Sequence, residues 1–264
     1  MIRLLIICIG LFSQPTFSWA GEKVVSLDHC ADQYVLEFVD RDNILAVSKR
    51  ATDDYALHRD RAEGIPTVQP SLEDVLLLKP DLVVRTYGGE PGLSSALERF
   101  GIRVINVPWA ADLDGVARAV ETVGKAIGTE NSAAEYAAAL SAHGSPRPSA
   151  EAPSALYLTP SGVTAGPNTM MHEVILASGF SNFTTQPGWH DISLEHLIKA
   201  QPDFVIRGFF DTKQQFDGNW SIGRHPLLAR QLEGIPYTDL KSAWISCDSW
   251  AVLNAINHLQ SVYQ

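Results

Sequence analysis

The 264-residue chain carries 20 Lys and Arg against 30 Asp and Glu, a formal net charge of −10. That sign argues against nucleic-acid binding, which needs a basic face. With 45% hydrophobic residues the chain has apolar mass for two lobes of ordinary size.

At the N-terminus Arg3 precedes an apolar run from Leu4 to Phe12, and Ser18-Trp19-Ala20 follows. The run is too short to span a bilayer. With small residues at the peptidase-reading positions it reads as a signal peptide over 1–20, removed before Gly21. The alternative is a short uncleaved anchor. Cys8 lies inside the apolar run, too early for a lipoprotein cleavage site. Cys30 and Cys247 remain after cleavage. Two cysteines in an exported chain suggest one disulfide. A metal contact or two buried thiols stay open, but the spacing matches no standard zinc pattern.

The first strand is Lys23 to Leu27, ending at Asp28-His29-Cys30. A helix from Ala31 to Val39 and a strand from Ile44 to Val47 follow. The polar stretch from Ala51 to Pro70 reads as loop with one short helix. Then comes Ser71-Leu72-Glu73-Asp74-Val75-Leu76-Leu77-Leu78-Lys79-Pro80-Asp81-Leu82-Val83-Val84-Arg85. This segment recurs 122 residues later, from Ser193-Leu194-Glu195 through Pro202-Asp203 to Arg207, with seven of fifteen positions identical. Two copies in one chain mean two similar halves, not a solenoid. In each copy the serine caps a helix, the glutamate sits in its first turn, and the proline stops it. Leu82-Val83-Val84 and Phe204-Val205-Ile206 then read as strands buried on both faces.

Between the copies, Leu93 to Phe100 is a helix closed by Gly101, and Arg103 to Val107 a strand delivering Trp109. Residues 112–144 form a helical connection interrupted at Gly128. The run around Pro146 and Pro148 ends it, dividing an N-terminal lobe (21–111) from a C-terminal lobe (145–264). The second lobe opens with a strand from Ala155 to Leu158. A Gly-Pro turn at Gly166-Pro167 leads into a helix from Met170 to Ala177, and Gln186 to Asp191 is a loop. After the second copy come a loop with Trp220, a helix from Leu227 to Glu233, a strand from Tyr237 to Leu240, and a terminal helix from Trp250 to Val262. The fold class is α/β: two similar α/β lobes with a cleft between them.

The ordered set of Ser-Leu-Glu helix, Lys79-Pro80-Asp81-Leu82-Val83-Val84, Thr164-Ala165-Gly166-Pro167, Ala177-Ser178-Gly179-Phe180 and the second Ser-Leu-Glu resembles class III periplasmic solute-binding proteins of ABC importers. The resemblance spans Val24 to about Leu259. It implies two lobes joined by a single long helix. It implies cargo of ferric siderophore, haem, cobalamin or transition-metal type. It also implies that Glu73 and Glu195 dock on arginines of an inner-membrane permease. A plain helix-start role for both carboxylates remains open.

Ligands of open α/β sheets gather at the carboxyl ends of strands. The rim candidates there are Tyr87, Trp109, Trp189, His190, Phe209, Phe210, Trp220 and Trp244. Trp189 and Trp244 resemble, in position, the cleft tryptophans of the cobalamin-binding member. Broad flat cargo would stack on such rings, although local loop packing is the bland alternative. Arg85 and Arg207 would neutralise an anionic chelate or bond strand-end carbonyls. His29, His58, His172, His190 and His225 are scattered, so a chelated or organic cargo is favoured over bare zinc or manganese. There is no phosphate cradle and no Gly-x-Ser-x-Gly elbow, so no enzymatic role is expected. The expected protein is a monomer with no resident cofactor; its cargo would bring the iron or cobalt.

Overall fold

Short apolar runs alternating with capped helices assemble into two parallel sheets. The computed structural model describes residues 21–144, 148–213 and 222–263. The expected signal peptide, Trp220 and the Pro146 side of the lobe boundary lie outside them.

The N-terminal lobe runs β1 (Val24–Ser26), α1 (His29–Phe38), β2 (Ile44–Ser48), α2 (Arg59–Ala62), β3 (Thr67–Val68), α3 (Leu72–Leu78), β4 (Leu82–Arg85), α4 (Leu93–Arg99) and β5 (Arg103–Asn106). Its sheet has the order β3-β2-β1-β4-β5, with every pairing parallel. Alternate residues of one strand serve opposite cores. Leu82 and Val84 join the cluster under α1 and the connecting helices, while Val83 packs with Val75, Leu93 and Leu97 of α3 and α4. Burial of both faces explains why these strands read as continuous apolar runs.

The connection is α5 (Leu113–Ile127) and α6 (Glu130–Ser141). It is two helices divided at Gly128, as the sequence reads, where the family resemblance implied a single long helix. Gly128 takes φ +77°, a left-handed cap that side-chain-bearing residues adopt at a cost, and the chain folds back there. A Cβ on Gly124 would overlap the Ala133 methyl, so the two helices touch backbone to side chain at that point.

The C-terminal lobe runs β6 (Ser154–Leu158), β7 (Val163–Ala165), α7 (Met170–Ala177), β8 (Ser181–Asn182), β9 (Trp189–Asp191), α8 (Leu194–Lys199), β10 (Phe204–Gly208), α9 (Pro226–Gln231), β11 (Tyr237–Leu240), α10 (Ser242–Ile245) and α11 (Val252–Tyr263). Its main sheet has the order β11-β10-β6-β8, again parallel. The segments read as a turn at Thr164 and a loop to Asp191 instead pair as the antiparallel ribbon β7–β9. Three-residue strands are too short to show a period of two in sequence.

The duplicated segment is a duplicated structure. Ser71 accepts the Asp74 N–H and Ser193 accepts the His196 N–H. Asp81 accepts the N–H of Lys23, just before β1, at 2.8 Å. Asp203 accepts the N–H of Ser154, at the start of β6, at 2.7 Å. Each aspartate thus ties its strand to the central neighbour in register, a reason for its identity in both copies. Each proline disfavours helical backbone in the residue before it. Lys79, directly before Pro80, responds with a left-handed φ of 51°, while α8 has already ended at Ala200, extended at φ −148° two residues before Pro202.

The lobes share one core. Trp250 stacks edge-on against Tyr34 of α1 at 4.7 Å and packs on Phe38 and on Tyr136 of α6. Ser249 donates to Gln33, and Tyr136 donates to Glu37 at 2.7 Å. Cys30 and Cys247 form a disulfide that bridges the lobes across 217 residues of sequence. Among the described residues no helix is long and apolar enough to cross a membrane.

Candidate functional site

Both sheets turn the carboxyl ends of their central strands toward each other. In the N-terminal lobe, β1 and β4 are adjacent although they are far apart in sequence, so the crevice of the doubly wound sheet opens between them. Asp28 organises that crevice. It is 4% exposed, and one oxygen accepts the N–H groups of Thr86, Tyr87 and Gly88 at 2.7, 3.0 and 2.8 Å. Its other oxygen caps α1 through Ala31 N–H at 2.9 Å. One buried carboxylate thereby fixes both the helix that carries His29 and the loop that carries Tyr87. Their side chains meet, the Tyr87 hydroxyl against His29 Nδ1.

In the C-terminal lobe the equivalent position is the end of β10. Gly208 must be glycine there, because a Cβ would overlap the Tyr157 hydroxyl and the Ile245 side chain. The next residue, Phe209, is held at φ +64°. A left-handed phenylalanine costs about 1–3 kcal/mol and persists only where its surroundings impose it. The bend delivers its ring to the cleft. Trp189 arrives from β9 and packs edge-on against Tyr157 at 5.8 Å.

Between the lobes lies a cavity of about 430 Å³. His29, Arg50 and Tyr55 line it from the N-terminal lobe. Thr159, Pro160, Ser161, Val163, Trp189, Phe209, Thr212 and Ser246 line it from the C-terminal lobe. Its size falls within the usual range for organic ligands. The walls are mostly apolar and aromatic, with a few convergent polar atoms. Burial lowers the pKa of His29, which favours the neutral imidazole able to ligate a metal. Burial and the hydrogen bond to Asp53 push the Tyr55 phenol up to about 12. Burial and the charge of Asp28 push Tyr87 up to about 12. Arg50 is the one cation among the described lining residues.

The candidates drawn from sequence divide clearly. Trp189 and Phe209 lie in the cavity wall, and Tyr87 stands beside it against His29. Trp109 is 79% exposed and lies outside the lining. Trp244 packs on His258 at 5.6 Å and under Lys241. His190 bonds the Gln186 carbonyl and lines a separate cavity with Thr164 and His196. Arg85 donates to Ser94 at 3.1 Å. Arg207 forms a two-pronged pair with Asp239 at 2.6 and 2.7 Å and stacks between Phe210 and Tyr237. None of these last residues contributes to the described cavity wall. Glu73 and Glu195 are exposed at matching helix starts, one on each lobe.

Arg50, Tyr55, the Thr159–Ser161 turn, Thr212 and Ser246 escaped the sequence reading. Arg50 and Thr159 stand just beyond the carboxyl ends of β2 and β6, a rule that would have found them. Tyr55 sits in a loop without periodic signal.

Two α/β lobes with facing strand ends and a ligand-sized cavity between them define a solute-binding architecture. The model of the family described as periplasmic binding protein matches residues 24–231, and the chain belongs to that family. A protein from Halobacterium salinarum strain R1 named cobalamin-binding protein is 31% identical over 198 residues, which are 71% of this chain and 54% of the relative. The chain therefore spans about half the length of that curated relative. Among solved structures, the periplasmic heme-binding protein HutB of Vibrio cholerae aligns with a TM-score of 0.72 at 17% identity, over 92% of this chain and 99% of HutB. The periplasmic vitamin B12 binding protein BtuF of Vibrio cholerae aligns with a TM-score of 0.61 at 20% identity, over 91% and 95%. At such identities the likeness is one of fold. Family membership and the interlobe disulfide both agree with a location outside the cytoplasm.

Proposed function

We propose that this protein captures a metal-centred organic cargo, an iron chelate such as haem or a siderophore or a cobalamin-like corrinoid, and passes it to an ABC permease. The cavity carries the argument. Trp189 and Phe209 offer faces to a flat macrocycle, each buried ring removing much apolar area from water. Tyr55 offers an oxygen donor to its metal, and Arg50 offers a charge to anionic substituents. The names of the halobacterial relative and of the two Vibrio structures support this class of cargo. Bare metal is the weaker reading. Among the described residues the one cluster of three ligating groups is His29, Cys30 and Cys247, and its sulfurs are bonded to each other.

The protein works in the periplasm as a monomer, exported by a cleavable signal peptide over 1–20. It holds cargo without covalent chemistry. Glu73 and Glu195 pair with permease arginines at two separated points, which sets the register of both lobes at once.

The test is tryptophan fluorescence of the mature protein, titrated with haem, cobalamin and a panel of ferric siderophores. One of them quenches saturably at sub-micromolar concentration, and Trp189→Ala weakens that binding about tenfold, as expected for the loss of a stacked ring worth about 1–1.5 kcal/mol. If no chelate in the panel binds, the proposal fails.

A further inference from the structure

The disulfide lies directly behind the cavity wall. His29 and Ser246 line the cavity from opposite lobes, and each is the chain neighbour of a half-cystine. Cys30 Sγ is 3.5 Å from His29 Nε2, and the ligand atoms of His29, Cys30 and Cys247 all lie within 4.8 Å of one another. A tetrahedral zinc with Zn–S of about 2.3 Å and Zn–N of about 2.0 Å separates its sulfur and nitrogen ligands by about 3.5 Å. The imidazole already stands at that spacing. The cysteine Cα atoms are 5.6 Å apart, so the side chains need only rotate apart after the bond is cleaved.

The imidazole is also oriented for the task. Tyr87 holds Nδ1, which leaves Nε2 as the atom facing the sulfurs. Metal-binding histidines are characteristically fixed through their second nitrogen in this way. Asp28, the neighbouring carboxylate, is already committed to four backbone N–H groups. The donor set is therefore one imidazole and two sulfurs, with a fourth position beside the cargo cavity.

We infer that His29, Cys30 and Cys247 form a redox-gated site for zinc: closed while the disulfide stands, and able to bind one ion when it is reduced. A small dithiol opens it by exchange. The protein disulfide accepts two electrons and two protons to give two thiols, and the dithiol becomes its own cyclic disulfide. Zinc then binds both sulfurs as thiolates and releases the two thiol protons to solvent. This inference is independent of which chelate the cavity carries, since it needs the metal alone.

The experiment uses the mature protein, reduced without oxygen by a phosphine, which takes the oxygen of one water as two thiols form. Cobalt(II) serves as the visible stand-in for zinc. One cobalt per chain binds the reduced protein, with tetrahedral d–d absorption and a thiolate-to-cobalt charge-transfer band, and zinc bleaches both. The oxidised protein shows neither. His29→Ala weakens cobalt binding at least tenfold, and Cys30→Ser abolishes the charge-transfer band. Near-ultraviolet circular dichroism follows the fold throughout. A reduced, folded protein without the band overturns the inference, as does a band unaffected by His29→Ala. Loss of the native dichroism on reduction also overturns it, because the three ligands come from two lobes that must stay docked.

Discussion

Replacing Asp28 with alanine leaves four backbone N–H groups without their acceptor. The N-cap on α1 accounts for about 1 kcal/mol. The N–H groups of Thr86, Tyr87 and Gly88 converge on one charged oxygen. Single hydrogen bonds to a charge contribute about 1.5–3 kcal/mol, and three sharing one oxygen are far from additive. A contribution of about 3 kcal/mol for the trio brings the expected loss to about 4 kcal/mol. For a chain of this length that lowers the melting temperature by roughly 8–16 °C. Asp28→Asn keeps one carbonyl oxygen but turns an NH2 group toward donors, and should lose about half as much. The assay is urea unfolding followed by circular dichroism, with m compared between proteins so that a change of midpoint reports stability. Cargo titration on the folded variants should show weaker binding too, because Tyr87 and His29 lose their common anchor. An Asp28→Ala protein within 1 kcal/mol of the wild type would refute the role assigned to this carboxylate.

Two further outcomes follow from the same geometry. Asp32 is 2% exposed, and burial lifts its pKa to about 6 against the lowering pull of its bonds from Ser26 and Ser48. The native state then holds this proton at pH values where the unfolded chain has released it. Asp32 therefore makes stability fall as pH rises from about 4 to about 6, opposite to an ion-paired carboxylate. Relative to wild type, Asp32→Asn should gain up to roughly 3 kcal/mol across that window, and parallel pH–stability curves would contradict it. Converting Glu73 and Glu195 together to alanine should leave cargo affinity unchanged and abolish permease-dependent uptake; sustained uptake would dismiss the docking role.

Much of the architecture follows from local chemistry. Ser71 and Ser193 start helices because a hydroxyl caps an orphan N–H, and Pro80 and Pro202 end them because helical backbone is disfavoured before proline. The duplicated strands announce two buried sheets by their unbroken apolar character. Cys30 and Cys247 could be singled out by simple counting in an exported chain, although their bond could not. What the linear chain did not contain was the direction of each side chain at the strand ends. Arg207 looks like an anion binder until β11 sets Asp239 beside it. Trp109 follows the end of β5 and Trp189 opens β9; both read as rim aromatics, yet one is 79% exposed and outside the lining while the other lies in the cavity wall. His29 and Ser246 are 217 residues apart and become two sides of one cavity only when the lobes dock. Helix caps and strand patterns are determined within a few residues and survive in the sequence. A cleft is determined by contacts between segments far apart in the chain, and only the tertiary fold decides which side chains face each other across it.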